Sequence, residues 1–322
     1  MNGIGVVRSR PSKKPFPRLR HFLYIYPMEI FEVIKKYSTQ EACVAYLEEI
    51  RWDNKPVCPY CSSTKTTNRN DPLRHKCNKC NRSFSVLIGT IMESTKLPLP
   101  KWFAAMCLIL NAKKGISSLQ LARDIGVNKN TAWYLQKRIR RAMNEDNTFL
   151  QGLIEADESY IGGSLVNKHE KLKQERQYHR AGMEHKTPVL GMLERKGKII
   201  VKVLDKAWGK EIMPIMKKLI DPNSELVTDG FGGYKDLGEY FEKHVILNHS
   251  RNIRRIGKYH TNTIEGFWSM FKRAIMGQYH KITADHLQEY INEMAFKYNH
   301  RNNERAFEIL INNCLMNSSA LI

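Results

Sequence analysis

Two C-x2-C pairs, Cys58 with Cys61 and Cys77 with Cys80, have the residue types and spacing of a metal site. Fifteen residues separate the pairs, as in sites where two tight turns present four thiolates to one zinc ion. A segment this short cannot supply an apolar core, so we expect zinc binding and folding to be one event. Two disulfides are the alternative, but close pairs within an odd total of seven cysteines favour a metal in a reducing compartment. We predict one structural Zn²⁺.

The other cysteines, Cys43, Cys107 and Cys314, lie on apolar faces of predicted helices and are expected in the core. His75 lies near the second pair and is a weaker candidate ligand, because four thiolates already complete a tetrahedral site. Four protein ligands leave no open position for a water molecule. The predicted zinc is therefore structural rather than catalytic.

Acidic side chains in apolar surroundings form a second group of candidates. Asp157 and Glu158 lie in a predicted strand, Leu153–Ile161, whose alternation directs them to opposite faces. Asp229 ends a short apolar run, and Glu265 lies in a predicted helix with an apolar stripe. Acids are depleted in strands, and burial of a carboxylate is unfavourable unless a positive group lies beside it. A divalent cation would remove that penalty.

Each acid also has an ordinary structural explanation. The strand of Asp157 could be an edge strand facing solvent, and Asp229 with Gly230 could form a turn. Asn262 and Glu265 have capping-box spacing, so Glu265 could satisfy backbone donors at the start of its helix. Taken together, two aspartates on strands and a glutamate on a late helix suit two hard cations, which prefer carboxylates and stabilise phosphoryl displacement. The substrate would be a phosphodiester.

Hydrophobic periodicity divides the chain into the segments that must position these residues. In the second half, strand-like runs are interrupted by one predicted helix near 210–220, and helical patterns close the chain. The stretch 164–187 has no periodicity and is predicted to be a long exposed loop. The predicted segments are a mobile basic tail (1–26), a short helical segment (27–54) whose second helix opens with a capping box from Ser38 to Glu41, a zinc ribbon (55–92), a helix-turn-helix region (97–146), an α/β domain (150–302) and a C-terminal helix or tail (303–322).

Residues 115–133 have the layout of a helix-turn-helix. Ala122 is small where two helices must touch, Gly126 can take the turn, and Asn128 or Asn130 can cap the second helix. Basic residues on such a helix suit the major groove and its flanking phosphates. This helix carries Lys129, Lys137, Arg138, Arg140 and Arg141. An ordinary helical pair with a solvated basic face is the alternative.

The charge balance indicates a polyanionic partner. Lys and Arg number 52 against 32 Asp and Glu, a net charge of +20, and residues 1–150 account for +15 of it. The longest nearly apolar run, 102–110, is far shorter than the roughly 20 residues that cross a bilayer. The basic N-terminus lacks the apolar region of a signal peptide. We expect a cytoplasmic protein whose first half anchors it to nucleic acid.

In their order along the chain, these motifs resemble the bacterial insertion-sequence transposases that join an N-terminal zinc ribbon to a DDE nuclease domain, a group related to the eukaryotic Merlin transposases. The resemblance covers about residues 38–300. The matching motifs are Arg51-Trp52, the two cysteine pairs, Gly89-Thr90, the segment 96–102, the helix-turn-helix, the segment 155–163, Thr228-Asp229-Gly230 with Tyr234, and the segment 260–268.

The resemblance implies an α/β ribonuclease H-like catalytic domain with a mixed sheet and flanking helices. It makes Asp157, Asp229 and Glu265 the ligands of two Mg²⁺ ions, for which Mn²⁺ can substitute. It also places Lys272 at DNA near the scissile phosphate. The 35 residues between Asp229 and Glu265 are similar to the spacing in retroviral integrases. Glu158 is the main rival to Asp157.

At the third acid, His260 or Asn262 could also point into the site. The implied function is cleavage and strand transfer of double-stranded DNA, both terminal repeats and target, by a homodimer or larger assembly near the bacterial nucleoid. A non-catalytic zinc-ribbon regulator or decayed transposase is the alternative, and a ribonuclease H-like nuclease of another purpose is a further one. The residues predicted to contact DNA are Lys129, Asn130, Lys137, Arg138, Arg141, Arg254, Arg255, Lys258 and Arg273.

Overall fold

The computed structural model describes residues 30–68, 71, 73–145, 148–162, 186–248, 251 and 253–316. The predicted tail over 1–26 and nearly all of the predicted loop over 164–187 lie outside the described residues. The helices are α1 (Ile30–Lys36), α2 (Gln40–Trp52), α3 (Leu99–Asn111), α4 (Ser118–Ile125), α5 (Lys129–Ala142), α6 (Gly209–Leu219), α7 (Asn262–Ala274), α8 (Ala284–Asn299) and α9 (Ala306–Met316).

The strands belong to three sheets. They are β1 (Thr66–Asn68), β2 (His75–Cys77), β3 (Ser83–Phe84), β4 (Leu153–Ile161), β5 (Thr187–Glu194), β6 (Ile199–Val203), β7 (Glu225–Asp229), β8 (Lys243–Leu247), β9 (Arg255–Ile256) and β10 (Tyr259–His260). A 3₁₀ helix over Gly232–Glu239 follows β7, and a π-helical turn over Ile275–Tyr279 extends α7.

A five-stranded mixed sheet organises the second half of the chain, in the order β6-β5-β4-β7-β8. The first three strands are antiparallel, whereas β7 runs parallel to both β4 and β8. Strand β4 is therefore central, and its acids do not lie on an edge strand. Its interior position rules out the solvent-facing edge as the explanation of Asp157.

Helices cover both faces of this sheet, because alternate residues along its strands are apolar on each side. On one face Ile154, Ala156 and Met192 pack with α6 and with the 3₁₀ helix. On the other face Val189 and Leu193 pack with α7 and α8. The fold class is confirmed at this level, as a mixed sheet with flanking helices in the C-terminal part of the chain.

The first five helices share one hydrophobic core with α9, although α9 lies at the far end of the sequence. Phe307 of α9 stacks against Tyr37 and Phe103, and Cys314 is fully buried in the same core. Cys43 and Cys107 are buried there too, as predicted. The C-terminal helix thus completes the packing of the N-terminal helices.

The predicted capping box of the second helix is wrong by one residue. Helix α2 begins at Gln40 rather than after Ser38, and Thr39 is its N-cap, with its hydroxyl accepting from the Ala42 N–H at 3.2 Å. With Thr39 as the N-cap, the helix directs Val44 and Leu47 into the core. The burial of these two side chains therefore selects Thr39, rather than the adjacent Ser38, as the N-cap. None of the described helices has the length and apolarity to cross a bilayer.

Candidate active site and cysteine cluster

The four paired cysteines form one compact cluster, with all four Sγ atoms within 4.8 Å of one another. Two of the Sγ–Sγ distances, Cys58 to Cys80 and Cys61 to Cys77, are 3.7 and 3.5 Å. A tetrahedral zinc with Zn–S bonds of about 2.3 Å requires sulfurs about 3.8 Å apart. The donor set and its spacing therefore fit a Zn²⁺ ion.

The same backbone turn presents both cysteine pairs. The residues after the second cysteines, Ser62 and Asn81, have φ of 55° and 60°, and each donates its N–H to the carbonyl of the first cysteine at 2.9 Å. The backbone N–H groups of Cys80 and Lys79 lower the pKa of Cys77 to about 6, which favours the thiolate that a metal requires. The short β1-β2-β3 sheet joins the two turns.

His75 is not placed to be a zinc ligand. Its Nε2 lies 2.7 Å from Glu48 Oε1 and its Nδ1 lies 3.0 Å from Asn68 Oδ1, so both ring nitrogens already have partners. The buried imidazole also packs edge-on against Trp52 of α2. His75 thus links the cysteine module to the helical core.

Two aspartates lie on neighbouring parallel strands at the middle of the five-stranded sheet. In the β4–β7 ladder Glu155 pairs with Val227, and Asp157 and Asp229 each follow two residues later on their own strands. Asp229 ends β7, so it stands where that strand leaves the sheet. Its Oδ1 accepts from the Phe231 N–H at 3.0 Å.

Helix α7 brings Glu265 to the same place. Its buried stripe includes Ile264, Phe267 and Trp268, as predicted, and packs on the sheet. The close approach depends on Gly191, the β5 residue opposite Asp157, because a Cβ there would lie 2.6 Å from Trp268 Cζ2. Glu265 itself is exposed toward the cleft that results.

A cleft of about 380 Å³ lies between β4 and α7. Its lining residues are Asp157, Glu158, Ser159, Glu265, Trp268, Ser269, Lys272, Arg273 and Met276. Burial, together with the negative charges of Asp229 and Glu265, raises the pKa of Asp157 to about 7. Lys272 acts in the opposite direction on the same carboxyl. The acids therefore form one electrostatically coupled group that favours a counter-cation.

Glu158 faces a different environment from Asp157, in accordance with strand alternation. Burial raises the pKa of Glu158 to about 8, and the neighbouring Tyr234 hydroxyl partly offsets that rise. Tyr234 packs among the residues on the α6 face of the sheet. The rival acid thus lies against the tyrosine, whereas Asp157 lies toward Glu265 and Lys272.

The two other rivals for the third position lie outside the acid group. Asn262 is an exposed residue at the start of α7. The Nδ1 atom of His260 lies 3.6 Å from Oε1 of Glu155, a buried acid on the same strand as Asp157. His260 is therefore turned toward Glu155.

The capping-box explanation of Glu265 is wrong. Glu265 Oε1 accepts from the Thr261 hydroxyl at 2.8 Å, and the free backbone N–H groups of Thr263 and Ile264 go instead to Glu155 Oε2 at 2.9 and 3.1 Å. A box with Asn262 as N-cap would also bond the Glu265 N–H, which instead donates to the Thr261 carbonyl at 3.0 Å. Glu155 is fully buried. In the sequence, its only indication of a role near the site is its position two residues before Asp157, on the same face of the strand.

The basic residues of α5 divide into exposed and occupied groups. Lys129 and Asn130 are exposed at its start, and Lys137 lies over the Trp133 ring at 5.3 Å. Arg138 donates to the Glu93 carbonyl at 3.2 Å, and Arg141 pairs with Glu289 at 3.0 Å. The helix thus keeps exposed polar donors at its N-terminal end.

The prediction that Arg140 lies on the exposed basic face of α5 is wrong. It is 1% exposed, its Nε lies 2.7 Å from Glu293 Oε2, and its guanidinium lies 3.8 Å from the Tyr290 ring centroid. Helix α8 packs over this part of α5 and encloses the side chain, so Arg140 joins the helices and cannot reach a phosphate.

Of the other predicted DNA contacts, Arg254, Arg255 and Lys258 lie at the hairpin before α7, and Arg273 lies at the cleft. Arg254 and Arg255 are exposed before and in the β9–β10 hairpin, which leads directly into α7. Lys258 of the same hairpin pairs with Glu225 at 2.5 Å. Arg273 is exposed and lines the cleft beside Lys272. Lys272 and Arg273 thus make the α7 side of the cleft positive.

Comparisons with known proteins agree with this organisation. A family model described as an ISXO2-like transposase domain matches residues 149–299, and one described as a transposase zinc-ribbon domain matches residues 38–83. The chain is 25% identical over 276 residues to an uncharacterized protein in transposable element ISH50 of Halobacterium salinarum. The aligned region covers 82% of this chain and 92% of that protein.

A second relative is an uncharacterized transposase-like protein of Haemophilus influenzae, 26% identical over 115 residues, or 36% of this chain and 92% of that protein. The two family models match in the order zinc ribbon, then transposase domain, and together cover more than half of the chain. The transposase-domain match contains the five-stranded sheet and α7, and the zinc-ribbon match contains all four paired cysteines. The chain belongs to the insertion-sequence transposases that carry an N-terminal zinc ribbon.

Proposed function

We propose that this chain is a DDE transposase that cuts DNA at the ends of its own element and joins the freed ends to target DNA. The observation that carries the proposal is the electrostatic coupling of Asp157 to Asp229 and Glu265, with Asp157 and Glu265 lining one cleft, although these two residues lie 108 positions apart in the sequence. Such a group of carboxylates, rimmed by Lys272 and Arg273, suits a phosphodiester bound through hard cations.

The proposed fold of this domain is ribonuclease H-like. In support, the first acid lies on the central strand, the second ends the adjacent parallel strand, and the third lies on a helix packed across them. Ligands of open α/β sheets commonly gather where strands end. The sheet order β6-β5-β4-β7-β8 provides that arrangement.

Asp157, Asp229 and Glu265 would hold two Mg²⁺ ions, or Mn²⁺ in their place. When bound, the metal would activate the attacking oxygen and stabilise the leaving oxygen of an in-line displacement. Lys272, which lines the cleft, would bind the phosphate that reacts, and Arg273 would bind the adjacent one. The chain needs no covalent intermediate, since water and then the liberated 3′-hydroxyl serve as nucleophiles.

The proposed DNA-binding unit of the N-terminal half is a helix-turn-helix formed by α4 and α5. Gly126 ends α4 with φ of 63°, and Asn128 caps α5 by accepting from the Thr131 N–H at 2.8 Å. Ala122 is 5% exposed where the helices meet. Lys129 and Asn130 then stand at the exposed start of the second helix, where base edges are contacted in such motifs.

The remaining contacts follow from charge. Lys137, Arg138 and Arg141 lie on the same helix, and Arg254, Arg255 and Lys258 lie in or next to the β9–β10 hairpin before α7, so we propose that both groups bind backbone phosphates. The zinc ribbon, with Zn²⁺ on its four cysteines, would help to hold the terminal repeats. Paired ends require two copies of the chain, and we propose a dimer or larger assembly on DNA.

The test uses the full-length, zinc-loaded protein with duplex DNA from the ends of its own element. We expect nicks at the element boundary with Mg²⁺, joining of those ends to an unrelated duplex, and neither product with Asp229→Asn. DNA binding without nicking would mean a non-catalytic regulator. Nicking without joining would mean a nuclease of another purpose. Wild-type products from Asp229→Asn would refute the assignment of the acids.

A further inference from the structure

Glu155 and Asp157 point to the same face of β4, because side chains two residues apart on a strand share a face. Asp157 reaches the cleft, whereas Glu155 lies about 7 Å farther back along the strand and is fully buried. A buried carboxylate is unfavourable unless its oxygens are satisfied. The partners of Glu155 therefore explain its presence in the core.

The first partners of Glu155 are the free donors at the start of α7. Its Oε2 accepts from the N–H groups of Thr263 and Ile264, and its Oε1 accepts from the Thr263 hydroxyl at 2.8 Å. Helix starts leave such N–H groups without intrahelical partners, and a negative charge there is favourable. The N-cap residue itself, Thr261, makes no side-chain cap. A strand residue 108 positions away thus caps the helix that carries Glu265.

The second partner is Arg195, at the end of β5. Its Nε and Nη2 lie 2.9 and 2.7 Å from Glu155 Oε1. The same guanidinium donates to the carbonyl of His260 at 2.9 Å and to the carbonyl of Lys258, both in the β9–β10 hairpin. One arginine therefore joins the central strand to the hairpin that leads into α7.

Two consequences follow for the acid group. The cap fixes the start of α7 to the strand that carries Asp157, and Glu265 lies within one turn of that fixed point. Because Glu155 occupies the backbone donors, Glu265 keeps its carboxylate available to the cleft. The relative placement of two acids on different elements is thus determined by a third acid that does not face the cleft.

We propose that Glu155 and Arg195 are positioning residues for the metal site, and that they set the geometry in which Asp157 and Glu265 bind one cation together. This inference rests on the proposed function. Groups that orient metal ligands without touching the metal typically change metal affinity about 10- to 100-fold when they are lost.

The test compares Glu155→Ala, Arg195→Lys and Asp229→Asn in the full-length, zinc-loaded protein. Mn²⁺ binding is measured by the EPR signal of the free ion, and cleavage of end DNA is measured against Mg²⁺ concentration. Glu145→Gln is the matched control, since Glu145 is a partly buried acid that bonds Asn299, the last residue of α8, and His300 after it. DNA binding and far-UV circular dichroism report folding.

We expect Glu155→Ala to weaken Mn²⁺ binding about 10- to 100-fold and to raise the Mg²⁺ concentration for half-maximal cleavage by a similar factor. Arg195→Lys keeps the positive charge but loses the paired Nε and Nη2 hydrogen bonds of the guanidinium. We therefore expect a smaller weakening of Mn²⁺ binding and a smaller rise in the half-maximal Mg²⁺ concentration. Glu145→Gln should match wild type in both. Wild-type metal dependence in folded Glu155→Ala would overturn the inference, and so would lower activity at an unchanged half-maximal Mg²⁺ concentration.

If Glu155→Ala does not fold, Mn²⁺ binding and the Mg²⁺ dependence of cleavage in Arg195→Lys test the positioning role instead. Asp229→Asn separates this inference from the proposed function. If it binds Mn²⁺ and cuts as wild type does, the metal site itself is refuted. If it is inactive while the Glu155 and Arg195 variants behave as wild type, only their positioning role is refuted.

Discussion

The cysteine cluster and the carboxylate group are both suited to metals but are built in opposite ways. The cysteines lie within 22 residues of one another, and two copies of the same turn present them. The acids come from two strands and a helix over 108 residues, and the sheet and its packed helices hold them. We expect the first site to need a metal in order to fold, whereas the second is assembled by the fold around it.

This difference separates the effects of disturbing each site. Losing a ligand from the cysteine cluster removes the centre around which a small module folds. Losing a carboxylate from the acid group removes repulsion between like charges, so the fold should persist without its chemistry. Substitutions in the cysteine cluster should therefore mainly reduce stability, whereas substitutions in the acid group should mainly reduce activity.

The largest expected effect on folding comes from Cys77→Ser. Zinc binding contributes on the order of 10 kcal/mol to the folding of comparable small modules, so the segment around β1–β3 should unfold. We expect zinc content to fall and amide exchange in residues 55–92 to rise to unprotected rates, with protection of β4 and β7 retained. Hydrogen-exchange mass spectrometry measures both. Full protection of the module in a zinc-free variant would contradict the comparison.

A smaller change should disturb the acid group through packing alone. In Gly191→Ala the new Cβ would meet the Trp268 ring at 2.6 Å and Ile264 at 2.9 Å, which displaces α7 from the sheet. We expect a loss of about 1–3 kcal/mol in stability and roughly 100-fold in cleavage rate, with zinc content unchanged. Denaturant unfolding and a nicking assay measure these.

The control for that change is Gly266→Ala on the same helix. A Cβ at Gly266 meets nothing within 4 Å, and alanine is the better helix former. Stability should rise by about 0.5–1 kcal/mol. Equal losses in both glycine variants would mean that α7 is sensitive to any substitution, and that its distance from the sheet is not the cause.

The acid group should also make stability depend on pH. The pKa of Asp157 is raised to about 7 and that of Glu158 to about 8, so the folded state holds protons that the unfolded state has released above about pH 4. Stability without Mg²⁺ should therefore fall as pH rises from about 4 to 8. We expect Asp157→Asn to reduce this fall by on the order of 1 kcal/mol, since the carboxyl is partly solvated.

Thermal unfolding of wild type and Asp157→Asn across that pH range is the measurement. Added Mg²⁺ should stabilise wild type more at pH 8 than at pH 6, because binding displaces protons. Parallel pH profiles for the two proteins would show that Asp157 is not coupled to its neighbours.

The smallest effect is expected at the exposed arginines of the β9–β10 hairpin region. Arg254→Ala should weaken binding of end DNA a few-fold, and should reduce the slope of log affinity against log salt by about 0.9 if the side chain binds one phosphate. Arg305→Ala is the control, because Arg305 is exposed but pairs with Glu308 on α9. Fluorescence anisotropy over a salt series gives both slopes. Identical slopes for Arg254→Ala and wild type would exclude a phosphate contact.

The sequence was sufficient wherever the determining contacts are local. Cys58, Cys61, Cys77 and Cys80 cluster as their spacing predicted, and the stripe of α7 is buried as its period predicted. The central strand was also identified with its bounds at Leu153 and Ile161. Turn chemistry and hydrophobic period act over a few residues, so they can be inferred without the fold.

Errors arose where partners are distant in sequence. The buried position of Arg140 depends on Glu293, 153 residues away, and the role of Glu155 depends on donors in α7. The start of α2 was misplaced because Ser38 and Thr39 are equivalent caps until the core selects one register. No periodicity in the sequence reports these long-range contacts.

The central claim, that three acids distant in sequence bind one metal centre, can be tested by mapping what lies beside the metal. Fe²⁺ substituted for Mg²⁺ in the zinc-loaded protein, with ascorbate and peroxide, oxidises and cuts the chain close to the bound ion. Mass spectrometry should find cuts near Asp157, Asp229 and Glu265 together, and all three should disappear in Asp157→Asn and under excess Mg²⁺. Cuts at one of these positions alone, or cuts that survive the substitution, would contradict the account.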